Sequence, residues 1–145
     1  MIFWHMQMHP DDQSFSDKHV YSVLEHQRII GLGEWDEGQA VIARFQNEMN
    51  VNDVVAIKNG ARLIALVQVI GGAYHVDNND PDIGWIEHRR PIRVLDWELE
   101  EKTLPQPRGT LEKCVNNNAP TTQIISEWHC RVVSSFRKRN LATSV

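Results

Sequence analysis

The sequence predicts an α+β fold, a mixed and strongly bent β-sheet with helices packed on one side. Three observations carry that prediction. Elements run β-α-β-α over the first half and then give way to a β meander. Two apolar runs, 53–57 and 63–70, flank Asn59-Gly60, a preferred hairpin turn. Ile125, Trp128, Val132 and Phe136, spaced 3, 4 and 4 apart, mark one face of a closing helix over 121–138.

Residues 2–8 are mostly apolar and predict a first strand, stopped by Pro10-Asp11-Asp12. Ser16 is placed to cap a helix over 17–28 that buries Val20, Val23 and Leu24. A second strand, Ile29 to Trp35, carries two glycines that permit a bend or close backbone approach. Asp36 stands as N-cap of a helix over 37–49, with Val41, Ile42, Phe45 and Met49 as its buried stripe. Gly71-Gly72 ends the hairpin, and the turn formers of 77–83 make a polar loop. Trp85 to His88 and Ile92 to Trp97 predict two closing strands, with Gly84 as the break before them. Residues 103–110 are turn-rich, and the tail from Arg137 to Val145 is expected to fray.

Composition sets the class. With 145 residues, 41% apolar and 23% charged, the chain is one ordinary globular domain. No apolar run approaches the roughly 18 residues of a membrane span, and Met1 to Met6 lacks the features of a secretory signal. Cys114 and Cys130 stand outside any CxxC spacing, which predicts no structural metal and a reduced, cytoplasmic chain. A net charge of −4 argues against bulk coating of nucleic acid but leaves room for a local basic face. Seven histidines are scattered without HExxH spacing, and no phosphate loop, dinucleotide fingerprint or nucleophile elbow is present. No cofactor and no catalytic residue is therefore expected.

Several segments resemble a known superfamily. Phe3-Trp4-His5-Met6-Gln7-Met8-His9-Pro10 resembles the opening strand of EVE domains, where two aromatics lead to a polar residue and then proline. Trp35-Asp36, Ala43-Arg44-Phe45 and Met49 to Asp53 resemble that family's next signature block. Ile64 to Ile70, followed by Gly71 to His75, resembles its apolar strand with an aromatic just past it. Arg90 to Leu99 and Leu104 to Leu111 are also similar to the N-terminal reader of McrB-type restriction GTPases. The chain departs from the pattern at Glu37-Gly38-Gln39 and at Asn52.

EVE domains belong with YTH and ASCH domains to the PUA-like β-barrels, associated with reading modified bases. The resemblance implies a PUA-like (EVE/YTH-type) bent mixed barrel over residues 1–112; beyond its reach, 113–145 is expected to hold the closing helix, packing back on the barrel, and the start of a linker or tail. It implies a binding module, not an enzyme, for DNA carrying methylated adenine or cytosine, with RNA as the alternative. An AAA+ GTPase module and a nuclease subunit would lie on other segments or chains.

A reader takes its base out of the stack, sandwiches it between aromatic rings and reads its edge. Each ring–base contact contributes about 1–3 kcal/mol. Trp35, with Asp36 beside it at the strand-to-helix corner, fits the first wall, against the ordinary alternative of a core tryptophan. Tyr74, just past the glycine break, leads Trp85 and Trp4 for the second wall, and Trp97 is assigned to the core. Gln7 offers donor and acceptor to a base edge, Met8 offers padding for a methyl group, and His9 closes the strand. Lys58, Arg62, Arg89 and Arg90 are the candidate phosphate contacts, while Arg137 to Arg139 suit a solvated helix end. A second class of function, an ASCH-like hydrolase of modified nucleosides, would draw on Lys58, Glu34 and Asp36.

Overall fold

A computed structural model describes residues 1–8, 17–77 and 79–145. In chain order it contains β1 (Phe3–Gln7), α1 (Asp17–Ser22), β2 (Ile29–Leu32), α2 (Gln39–Asn47), β3 (Val54–Asn59), β4 (Arg62–Val69), β5 (Tyr74–His75), β6 (His88–Trp97), β7 (Leu111–Lys113) and α3 (Pro120–Lys138). The strands form one curled half-barrel in the order β2-β6-β4-β3-β1-β7, with β5 added beside β6. β1 runs parallel to β3, from Phe3 opposite Val54 to Gln7 opposite Lys58, and this pair makes the sheet mixed. Asn59-Gly60 turns β3 into β4 as the dipeptide dictates, with Gly60 at φ 59°.

Side-chain alternation along β3 divides the core. Val55 and Ile57 join Trp4, Met6, Ile30, Leu32, Ile42 and Phe45, under α1 and α2. Val54 and Ala56 point the other way and join Leu63, Leu66, Ile125, Trp128, Val132 and Phe136, under α3. The central strands are covered on both faces, and for that reason their sequences are almost continuously apolar. The buried Asp53 locks the entry to β3: its carboxylate accepts hydrogen bonds from Ile2 N (2.9 Å), Trp4 Nε1 (3.0 Å) and Asn50 N (3.0 Å).

Four expectations change. The helix expected over 17–28 is α1 followed by a π-helical turn, Val23–Gln27, closed by Arg28 at φ 54°. Asp36 is not an N-cap, because a 3-10 turn, Asp36–Gly38, precedes α2 and starts from the extended Trp35. The two closing strands are one, β6, and Trp85 lies in the turn before it; Pro91 is tolerated where the neighbour of β6 changes from β5 to β4. The tail is tied down: Val145 N donates to Asn52 Oδ1 (2.7 Å), and Thr143 O accepts from Gln68 Nε2 (2.9 Å). Among the described residues no helix is long and apolar enough to cross a membrane. Ser16, the expected cap, lies outside the described residues.

Candidate functional site

The corner after β2 is built around missing side chains. Trp35 is extended (φ −149°, ψ 150°) and the chain then tightens through the 3-10 turn ending at Gly38. A Cβ on Gly38 would stand 1.9 Å from Trp35 Cε2, so the indole lies directly on the turn's backbone. Any larger residue at 38 displaces the ring. A second indole, Trp85, comes from the neighbouring turn, and a Cβ on Gly33 would stand 3.0 Å from its carbonyl oxygen. Arg89 fixes that turn from within: its Nε donates to Ile86 O (2.6 Å) and its Nη2 to Ile83 O (3.0 Å). Both rings are half-buried.

Between these corners lies a cavity of about 530 Å³, lined by Trp35, Trp85, Gln7, Thr110, the stretch 31–33, and by Glu34, Glu37 and Glu87. That size suits a small organic ligand. Gln7 is braced: its Oε1 accepts from Gly60 N (2.7 Å) and its Nε2 donates to Asn59 Oδ1 (3.0 Å). An amide carries two N–H groups and two lone pairs, so among the described residues one of each is left for a ligand. Glu34 is oriented by two donors, His88 Nε2 (2.5 Å) and Gln39 Nε2 (3.0 Å). Gln46 Nε2 lies 3.1 Å from His88 Nδ1, and the opposite ring nitrogen faces Glu34. The hydrogen bond from His88, then that from Gln39, holds the Glu34 carboxyl below its ordinary pKa, so Glu34 is ionised at neutral pH.

The structure brings Trp35, Trp85 and Gln7 to one cavity, and the other expected residues among those described do not line it. Tyr74, the first choice for the second wall, is 43% exposed on β5 and does not line the cavity; Trp85 does. Trp4 and Met8 are sealed in the core at 0% and 1% exposure, so neither faces an open slot. Asp36 is exposed on the 3-10 turn beside the cavity, and His9 lies outside the described residues.

The expected phosphate contacts fare differently again. Arg89 and Arg90 are buried on backbone carbonyls. Arg62 is half-buried at the start of β4, bridged to Thr103. Lys58 is 1% exposed; its Nζ donates to His5 Nδ1 (2.7 Å) and to Pro107 O, pinning the loop that leads to β7. Lys58, named for the hydrolase alternative, is not among the residues lining the cavity that Glu34 lines. Sequence reasoning missed Glu37 and Glu87 as lining residues; each stands two residues past one of the two indoles, Trp35 and Trp85.

The Lys58–His5 pair has a pH signature. Burial, then the Lys58 charge, lowers the His5 pKa from 6.5 to about 4, and burial lowers that of Lys58 from 10.5 to about 8. Between about pH 4 and 6.5 the unfolded chain binds the His5 proton and the folded chain does not, so stability falls as pH drops through that window. Between about pH 8 and 10.5 the folded chain sheds the Lys58 proton first, so stability rises with pH there. Each window is worth on the order of 3 kcal/mol. Urea unfolding of wild type and Lys58→Met at pH 7.5 and pH 10 is expected to show the alkaline rise in wild type alone.

Residues 3–118 match the profile of a family described as a domain of unknown function (DUF8426). No curated protein matches the chain in sequence. Among solved structures, the chain is similar to human THYN1 in complex with 5-methylcytosine containing DNA, with a TM-score of 0.55, 10% identity, and coverage of 88% of this chain and 97% of that one. It is also similar to the YTH domain of Zygosaccharomyces rouxii MRB1 in complex with N6-methyladenosine RNA, with a TM-score of 0.52, 10% identity, and coverage of 88% and 86%. A Pseudomonas putida protein gives a TM-score of 0.51 at 11% identity, covering 86% and 97%. At these identities the likeness establishes the PUA-like fold of the EVE and YTH type.

Proposed function

The chain belongs to the DUF8426 family, whose description assigns no activity, and we propose that it is a reader of modified bases in nucleic acid. In this reading a methylated adenine or cytosine turns out of its strand into the cavity beside Trp35 and Trp85, and Gln7 meets its edge with its spare donor and acceptor. The observation that carries the proposal is the seating of Trp35: a half-buried indole laid on Gly38, one face supported and the cavity alongside. The fold shared with two proteins solved with methylated nucleic acid supports it. The protein acts as a binding module in the cytoplasm, directing an AAA+ GTPase and a nuclease on other segments or chains to modified DNA, as in McrB-type restriction.

A gel-shift panel tests the reading. Oligonucleotides carrying N6-methyladenine or 5-methylcytosine, as DNA and as RNA, are expected to shift at lower protein concentration than unmodified ones. Because Lys58, Arg89 and Arg90 are committed inside the fold, few phosphates are neutralised, and the log affinity against log salt is expected to have a slope shallower than about −3. Equal affinity for modified and unmodified strands would overturn the proposal.

A further inference from the structure

The charge of the cavity narrows the ligand. Glu34, Glu37 and Glu87 are the charged side chains among its described lining, and no lysine or arginine accompanies them. Glu34 is held ionised and aimed by Gln39 and His88, and Glu87 lies 3.9 Å from the His75 ring. A neutral base entering this space partly desolvates the negative charge of its glutamates and returns at most a few hydrogen bonds. A cationic base compensates their charge directly and is also attracted to the faces of two indoles.

Resting on the reader assignment above, we infer that the cavity beside Trp35, Trp85 and the three glutamates selects bases that methylation has made cationic, of the N1-methyladenine or N3-methylcytosine type. Methylation of a ring nitrogen fixes a positive charge on the heterocycle, whereas methylation at N6 of adenine or C5 of cytosine does not. Charge then separates the cationic from the neutral methylated bases, while burial of the methyl group separates both from unmodified ones.

Isomer pairs isolate the charge. N1-methyladenosine and N6-methyladenosine are methyl isomers, and at neutral pH the first holds one extra proton and with it a positive charge; N3-methylcytidine and 5-methylcytidine are related in the same way. Calorimetric titration of the full chain with these four nucleosides, which carry no phosphate, is expected to give at least a tenfold preference for the cationic member of each pair. The double variant Glu37→Gln/Glu87→Gln leaves the Glu34 hydrogen bonds in place and is expected to bring the preference close to parity, with an unchanged melting point. Equal or tighter binding of the neutral isomers by wild type overturns the charge selection and leaves the reader assignment standing. Failure of all four nucleosides, together with equal gel shifts for modified and unmodified strands, removes both.

Discussion

Replacing Trp35 with alanine is expected to weaken binding of a modified-base oligonucleotide by about 5- to 150-fold while leaving a folded protein. The range is the 1–3 kcal/mol of one ring–base stack converted to affinity. The lower end applies if Trp85 alone retains the base, the upper end if the slot collapses when its floor is removed. The fold survives because the indole is only half-buried and its support, the backbone at Gly38, belongs to a turn that does not depend on the ring. Ile42, Phe45 and Met49, which hold α2 to the sheet, keep their contacts. Loss of part of the ring's packing is expected to lower the melting point by a few degrees, each 1 kcal/mol shifting a chain of this size by about 2–4 °C. Tyr74→Ala is the matched control: an exposed aromatic outside the cavity, whose removal is expected to leave affinity unchanged. Fluorescence anisotropy with labelled oligonucleotides reads both variants. An unchanged affinity for Trp35→Ala, or a loss for Tyr74→Ala equal to it, shifts the site away from this corner.

What the sequence made legible follows its local signals. Asn59-Gly60 between two apolar runs has one good solution, and the hairpin of β3 and β4 adopts it. The spacing of Ile125, Trp128, Val132 and Phe136 admits one buried helix face, and α3 buries it. The corner at Trp35 was visible because a ring followed two glycines at the end of a strand. Features fixed by distant partners were hidden. Lys58 reads as a hairpin-end cation, yet β3 is central and covered on both faces, so its amine finds His5 and a loop carbonyl. β7 falls in a turn-rich stretch and exists only because β1 offers an edge from Trp4 to Met6. Trp85 resembled a strand residue; its place in a turn depends on Arg89, four residues further along, gripping Ile83 and Ile86. The Arg89-Arg90 pair misled for a general reason. Neighbours on a strand point to opposite faces, so two adjacent arginines cannot both track one phosphate backbone.

Arg90 is expected to be the residue whose loss costs the most stability. Its side chain is 3% exposed and its guanidinium donates to Phe45 O (2.8 Å), Gln46 O (3.0 Å), Met49 O (2.7 Å) and Gly71 O (3.2 Å). Two of those carbonyls, Phe45 and Gln46, lie in the last turn of α2, where the helix itself offers no partners, and Met49 lies just past it. The fourth closes the glycine break after β4, and the Arg90 head lies over the Phe45 ring at 5.7 Å. Arg90→Ala leaves these acceptors buried and opens a void between helix and sheet. The expected cost is about 3–5 kcal/mol, a large share of the 5–15 kcal/mol that stabilises a typical domain. Arg90→Lys is expected to recover little, since one ammonium cannot reach four carbonyls spread around a planar fork. Chemical denaturation measures the loss, and binding per folded molecule measures what it leaves behind. A phosphate contact makes the opposite forecast: normal stability with reduced affinity that recovers in Arg90→Lys. Because every nitrogen of this guanidinium already serves a carbonyl, the stability loss is the expected outcome, and the affinity of the surviving folded fraction for a modified base is expected to match wild type.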